Sequence, residues 1–307
     1  MKKLVLAALM LGCGGEDAQP ADGPPGFRPL SPPEYGVQIE TPEFEVEAYG
    51  DVEYCYYTPY RIEEDVPIKA VVGQQMEHGH HLVVYGANVP LPTNLHPCLG
   101  FEMTNFAYIG AGGGAEAISS AQFLPPGAGT VAHAGLQLVI NSHYINYEDH
   151  PILVKDQANI VFAQEGEVRA EVNLIVFGPD DLDIPPGEPT EAGLTCEVGR
   201  DFHVASVLGH THRMGKHVTL THESGGQERV IYDEETRPGF ALNPPVDTFS
   251  LDEPFELRAG DRLGVTCAWD NTTDEMLHFP GEMCFGVMFY WPDDGLIYCG
   301  HDGDTLE

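Results

Sequence analysis

The sequence predicts an all-β protein built from two tandem antiparallel β-sandwich domains. Short runs rich in Val, Ile, Tyr and Phe recur along it, and 35 Gly with 25 Pro supply the turns between them. No apolar stripe of helical period is sustained for more than a few turns.

The strand-like runs are, in order, Val66–Val72, His81–Tyr85, Leu136–Ile140, Ala158–Phe162, Glu171–Phe177, Phe202–Leu208, His217–Thr221 and Phe285–Trp291. Ala-Gln-Glu-Gly-Glu-Val-Arg-Ala at 163–170 interrupts two of them and marks a seam. It divides the body into domains at 35–165 and 166–307, each large enough to bury its own core. The glycine run Gly110–Gly114 precedes neither a helix-like segment nor a Lys-Ser/Thr, so it reads as a loop and not a phosphate cradle.

Charge excludes one class of partner. Lys and Arg number 14 against 48 Asp and Glu, a formal net charge of −34. That field repels nucleic acid and anionic membrane surfaces and reads chiefly as a solubilising coat. A hydrophobic content of 42% with 9% aromatics excludes wholesale disorder.

The N-terminus reads as an export signal. Lys2-Lys3 is a basic start, and Leu4 to Leu11 is an apolar run too short to span a bilayer. Met10-Leu-Gly-Cys13 resembles a bacterial lipobox, which implies a signal peptide over 1–12 and a lipid on Cys13. Residues 13–34, rich in Pro and Gly, read as a disordered tether. The expected location is therefore a bacterial membrane, outer membrane or cell surface, with the lipid as the only membrane contact. In an exported chain the other six cysteines, Cys55, Cys98, Cys196, Cys267, Cys284 and Cys299, read as disulfides. Separate folding of the two domains pairs Cys55 with Cys98 and leaves three choices for the last four.

The chemistry lies in the histidines. His210 and His212, at i and i+2 on a strand, project from one face and can share a metal. His80 and His81 are adjacent, so a shared metal requires a bulged or twisted backbone, which Gly79 permits; His78 is a nearby competitor. His143 follows an apolar run, as a residue at a strand end would. Met283 adds a thioether. Imidazole suits several transition metals, but a thioether is soft and favours copper, Cu(I) above all.

Four segments then carry a resemblance: His80-His-Leu-Val-Val-Tyr-Gly86, Asn141-Ser-His-Tyr144, His210-Thr-His-Arg-Met-Gly-Lys216 and Glu282-Met-Cys284. They resemble the copper type II, ascorbate-dependent monooxygenases, which include peptidylglycine α-hydroxylating monooxygenase and dopamine β-monooxygenase. Tyr54-Cys55, Ile184-Pro-Pro-Gly-Glu188 and the closing cysteines extend the match in order from about residue 50 to about 300.

The resemblance implies two jelly-roll-like sandwiches, each holding one copper, facing each other across a cleft. His80, His81 and His143 would hold an electron-transfer copper. His210, His212 and Met283 would hold the copper where oxygen binds and hydroxylation occurs. It also implies the pairs Cys55–Cys98, Cys196–Cys299 and Cys267–Cys284. Copper at two sites, with ascorbate or a similar electron donor, would hydroxylate an aliphatic C–H bond of a small molecule using O₂.

The chain departs from the peptide-hydroxylating branch at the substrate. That branch holds a substrate carboxylate with an Arg two residues before the His-x-His pair, where this chain has Leu208. Its Asn and Tyr after Glu-Met-Cys correspond to Phe285 and Val287. A peptidylglycine substrate is not expected. The apolar replacements point to an uncharged substrate, while the acidic surface would tolerate a cationic amine. Asn141 stands where the named relatives have Gln or Glu. Met214, alternating with His212, reads as core packing in preference to a surrogate ligand.

A non-catalytic copper-binding surface lipoprotein is the alternative reading. A zinc hydrolase is weaker, because neither H-E-x-x-H nor Gly-x-Ser-x-Gly occurs. Oligomeric state is not legible in the sequence.

Overall fold

A computed structural model of the chain describes residues 23–99, 102, 105–114, 118–237, 239–241, 243–279 and 281–307. The segment expected to be a signal peptide and the expected lipid site Cys13 lie outside the described residues. No helix among the described residues is long and apolar enough to cross a membrane.

Strand follows strand, and each of the eight predicted runs falls on strand, with Leu136 just before its strand and Val172 between two. In the first half, Gly36–Glu40, Gln157–Phe162, Val66–Gln74 and Ala128–Ala132 form one sheet. Asn94–Pro97, Asp51–Arg61, Gln137–Ile145, Gly79–Ala87 and Ala107–Gly112 form the sheet opposite. The chain crosses repeatedly from one to the other, so β-branched and aliphatic side chains from both meet in one core. Ile68, Val71 and Ile160 from the first sheet pack against Leu82, Val84 and Ile140 from the second, all buried.

The second half repeats the plan. Phe202–Thr211, Cys284–Trp291 and Asn173–Phe177 are central to one sheet; Gly215–Ser224, Arg262–Asp270 and Pro189–Val198 are central to the other. Ile175, Phe177, Val204 and Met288 meet Leu220, Val265 and Trp269 between them.

The halves are tied together. Ala170–Glu171 pairs in parallel with Ala128–Ala132 before the chain enters the second set of sheets at Asn173. Tyr108 and Phe289 meet across the junction with ring centroids 6.1 Å apart, and Phe123 O accepts from Ser206 Oγ at 2.6 Å.

Three disulfides close the framework: Cys55–Cys98, Cys196–Cys299 and Cys267–Cys284. These are the pairs the resemblance implied. Each joins strands, or a strand to its flank, within one half.

The segment read as a tether differs from that reading over its described part. Residues 23–34 form no strand but lie against the first sheet. Phe27 is 5% exposed, with the Lys155 ammonium 5.7 Å from its ring centroid. Leu30 N donates to Gln157 Oε1 at 2.6 Å, and Asn159 Nδ2 donates to Ser31 O at 2.9 Å. One buried aromatic and a few hydrogen bonds to side chains of the Gln157–Phe162 strand outweigh a Pro/Gly-rich composition.

Candidate metal centre

His143 and His81 stand directly opposite each other on neighbouring strands. The register shifts immediately afterwards, because Tyr144 pairs with Gly79 and leaves His80 as the extra residue. This is a β-bulge, and it turns two adjacent histidines toward one point. His78, at φ +73, and Gly79, where a Cβ would fall 2.5 Å from the Gln75 side chain, lead into it.

His80 Nδ1 and His81 Nδ1 are 3.0 Å apart, and the rings of His80 and His81 lie 4.6 and 4.9 Å from that of His143. One ring nitrogen from each of the three falls within 4.8 Å of the others. His78 is not among them; its Nε2 sits 3.5 Å from Glu148.

Two carboxylates orient this cluster. Asp51 Oδ1 lies 2.7 Å from His143 Nε2, and Glu53 Oε1 lies 3.8 Å from His81 Nε2. They alternate on the strand beside His143, with Glu53 in register with it. Asn141 Nδ2 reaches Glu53 Oε2 at 3.4 Å, so the unusual Asn at that position steadies a carboxylate. The His143 contact holds the Asp51 carboxyl below its usual value, against the opposing effect of burial.

The other nitrogen of His143, Nδ1, is buried with no hydrogen-bond partner among the described residues. Burial, followed by the neighbouring imidazole of His143, pushes His80 down to about 3 and holds His81 well below its usual value. Neutral imidazoles with an unsatisfied inward nitrogen are what a transition metal requires of its ligands. The residues fit copper. The grouping of Cys55, Cys98 and Glu102 does not, because its sulfurs are joined in a disulfide.

His210 is the penultimate residue of the Phe202–Thr211 strand and His212 follows the strand, with ring centroids 5.1 Å apart. Both are held below the usual histidine range by burial first. His212 Nδ1 lies 3.0 Å from Gly281 O, fixing the ring. A Cβ at Gly215 would fall 2.3 Å from Thr211, so only glycine closes the turn that follows.

Glu282 organises this second site. It is 2% exposed, and its carboxylate accepts from Met214 N at 2.7 Å and Trp269 Nε1 at 3.1 Å. The nearby backbone N–H groups of His212 and Met283 favour its charged form against the opposing effect of burial. One buried carboxylate thus ties the turn after His212 to the residue before Met283. Met283 is half-buried at the mouth of the Cys284–Trp291 strand.

The two histidine groups touch. The ring of His80 lies 5.5 Å from that of His212, so no wide solvent gap separates the halves at this point. Beside the contact a cavity of about 630 Å³ opens, lined by residues of both halves, among them Asp51, His80, Tyr147, His212 and Glu282. Sequence reasoning missed Asp51 and Glu53. Their alternation two and four residues before Cys55 was the available signal.

The paired β-sandwiches bring His80, His81, His143, His210 and His212 together at their junction, a donor set that could hold a transition metal. Residues 169–306 match the model of the copper type II ascorbate-dependent monooxygenase C-terminal domain, so the second half of the chain is similar to that family. The chain is 30% identical over 144 residues to "DBH-like monooxygenase protein 1" of Gallus gallus and 31% identical over 144 residues to that of Homo sapiens. Each match covers 40% of this chain and 22% of the relative's length. Among solved structures, the major capsid protein P2 of bacteriophage PM2 aligns over 84% of this chain and 100% of its own, at a TM-score of 0.28 and 13% identity.

Proposed function

We propose that the chain is a copper-dependent monooxygenase that hydroxylates an aliphatic C–H bond of a small organic substrate, using O₂ and an ascorbate-like reductant. The observation that carries it is the convergence of His80, His81 and His143 on one point in ring contact with His212. Inserting one oxygen atom into C–H consumes O₂, two electrons and two protons and releases water. Copper bound at two sites would supply O₂ activation and one electron from each site.

The chain's own residues do the rest. His80, His81 and His143 form an all-nitrogen site suited to holding either oxidation state. Asp51 fixes the ring of His143. His210, His212 and Met283 form the softer site, with Glu282 and Gly281 O fixing the backbone and ring that present them. The contact of His80 with His212 leaves a short path between the two groups.

The adjoining cavity favours turnover over copper storage, which needs no substrate space next to the metal. We further propose export and lipid anchoring through Cys13, on the strength of the apolar run and Met10-Leu-Gly-Cys13. Copper content per chain and ascorbate-dependent oxygen uptake test the function. Two coppers with uptake coupled to product are expected, and one copper or none sinks the reading.

A further inference from the structure

The cavity at the metal centre is cationic in a chain that is otherwise strongly acidic. Arg213, Lys216 and Arg237 all line it, three of the chain's 14 Lys and Arg. Chance placement would put acidic groups there, since these number 48.

The three cations are also free of carboxylates. Lys69, Lys155, Arg169, Arg200, Arg258 and Arg262 each form an ion pair. Among the described residues, Arg213, Lys216 and Arg237 have no carboxylate within ion-pair distance. The two acidic groups of the cavity wall are already engaged: Asp51 by His143, and Glu282 by the Met214 amide and Trp269.

The metal-centre histidines His80 and His212 form one side of the cavity, and apolar side chains form another. Ile145, Tyr147 and Leu277 line it, and the Arg213 guanidinium stands 6.0 Å from the Tyr147 ring centroid. Leu208 is buried in the second core and contributes nothing to the cavity, so the positive charge comes from other segments. Arg213 and Lys216 belong to the turn and strand after His212, and Arg237 follows the Gln227–Glu235 strand.

We propose that Arg213, Lys216 and Arg237 form an anion-binding subsite that holds the charged group of a small organic anion in this cavity, with its apolar body against Tyr147, Ile145 and Leu277. The inference rests on the monooxygenase reading for its biological sense. It replaces the expectation of an uncharged or cationic substrate. A carboxylate of the substrate and the monoanion of ascorbate share the required chemistry.

Calorimetric titration of the full chain, metal-free, tests it with three matched probes: 3-phenylpropionate, 3-phenylpropanol and 3-phenylpropylamine. The acid is expected to bind about tenfold more tightly than the alcohol, and the amine least. Arg213→Gln, Lys216→Gln and Arg237→Gln are each expected to weaken the acid about tenfold and leave the alcohol unchanged, with Arg237→Lys recovering most of the loss. Equal binding of acid and alcohol by the parent chain would overturn the proposal, whether or not the variants fold.

Ascorbate is titrated alongside. Cation-dependent binding of ascorbate alone assigns the subsite to the reductant; binding of the phenyl acid alone assigns it to the substrate. Copper loading on the same preparation separates the two claims. Two coppers without anion preference defeat this inference only, and anion preference without copper defeats the monooxygenase reading only.

Discussion

His80 and His212 come from different halves of the chain, and their rings meet 5.5 Å apart. Neither lies on a strand that hydrogen-bonds to the other's sheet, so the contact depends on how the halves are docked. Tyr108 against Phe289 and the parallel pairing of Ala170–Glu171 with Ala128–Ala132 hold that docking. With Cu(II) at both sites, electron paramagnetic resonance is expected to show spin–spin broadening that disappears in His80→Ala. Two sharp, full-intensity signals from the parent would mean that the halves stand apart in solution.

Asp51 accepts from His143 Nε2, leaving Nδ1 free for a metal, the arrangement that fixes a metal-binding imidazole and raises its basicity. Asp51→Asn is expected to weaken copper binding at the first site by about 10- to 100-fold and leave the second unchanged. Competition with a chelator of known affinity measures it. Equal losses at both sites would point to general unfolding instead.

Much of the site was legible from sequence because its signals are local. The bulge at His80 follows from two adjacent histidines after a glycine, and the β runs from their apolar composition. What escaped is long-range. Asp51 and Glu53 matter only because their strand lies beside His143, and no spacing rule reports that pairing. Arg213, Lys216 and Arg237 are scattered single cations until folding gathers them. Phe27 sits in a stretch whose composition argues for solvent, and only the sheet it covers explains its burial.

Asp156 offers a pH test on the opposite face of the strand that carries His143. It is fully buried and accepts from Tyr144 Oη at 2.5 Å and from Ser142 Oγ. Burial pushes its carboxyl up from 3.8 to about 6. The folded chain therefore holds this proton more tightly than the unfolded chain does. Its contribution to stability is full below the unfolded value and lost as pH rises through about 6, roughly 3 kcal/mol in all. Urea unfolding of the parent and Asp156→Asn at about pH 4 and about pH 7 reads the difference. The parent is expected to lose about 2.5 kcal/mol relative to the variant across that interval. A constant difference would refute the shift.

Cys267–Cys284 closes a loop with a sequence separation of 17 residues and anchors the residue after Met283. A loop of that size confers about 3 kcal/mol. Cys267→Ser with Cys284→Ser is expected to lower the melting temperature and to loosen Cu(I) at the second site. Unchanged Cu(I) affinity in a folded double variant would show that Met283 is held without the bridge.

Glu282 separates positioning from folding most sharply. Its carboxylate accepts from the Met214 amide on one oxygen and from the Trp269 indole on the other, a pair of donors that requires an acceptor on both oxygens. Gln keeps the volume but replaces one acceptor with an NH₂ that faces N–H groups, leaving a buried donor unpaired. Glu282→Gln is therefore expected to weaken Cu(I) at the second site by about tenfold or more, with the first site's copper retained. Glu282→Asp, which keeps both acceptors on a shorter stem, is expected to recover part of the loss. A purely structural role would lower the melting temperature of both variants without changing the ratio of copper affinities at the two sites. The positioning role predicts that this ratio changes in Gln and moves back toward the parent in Asp.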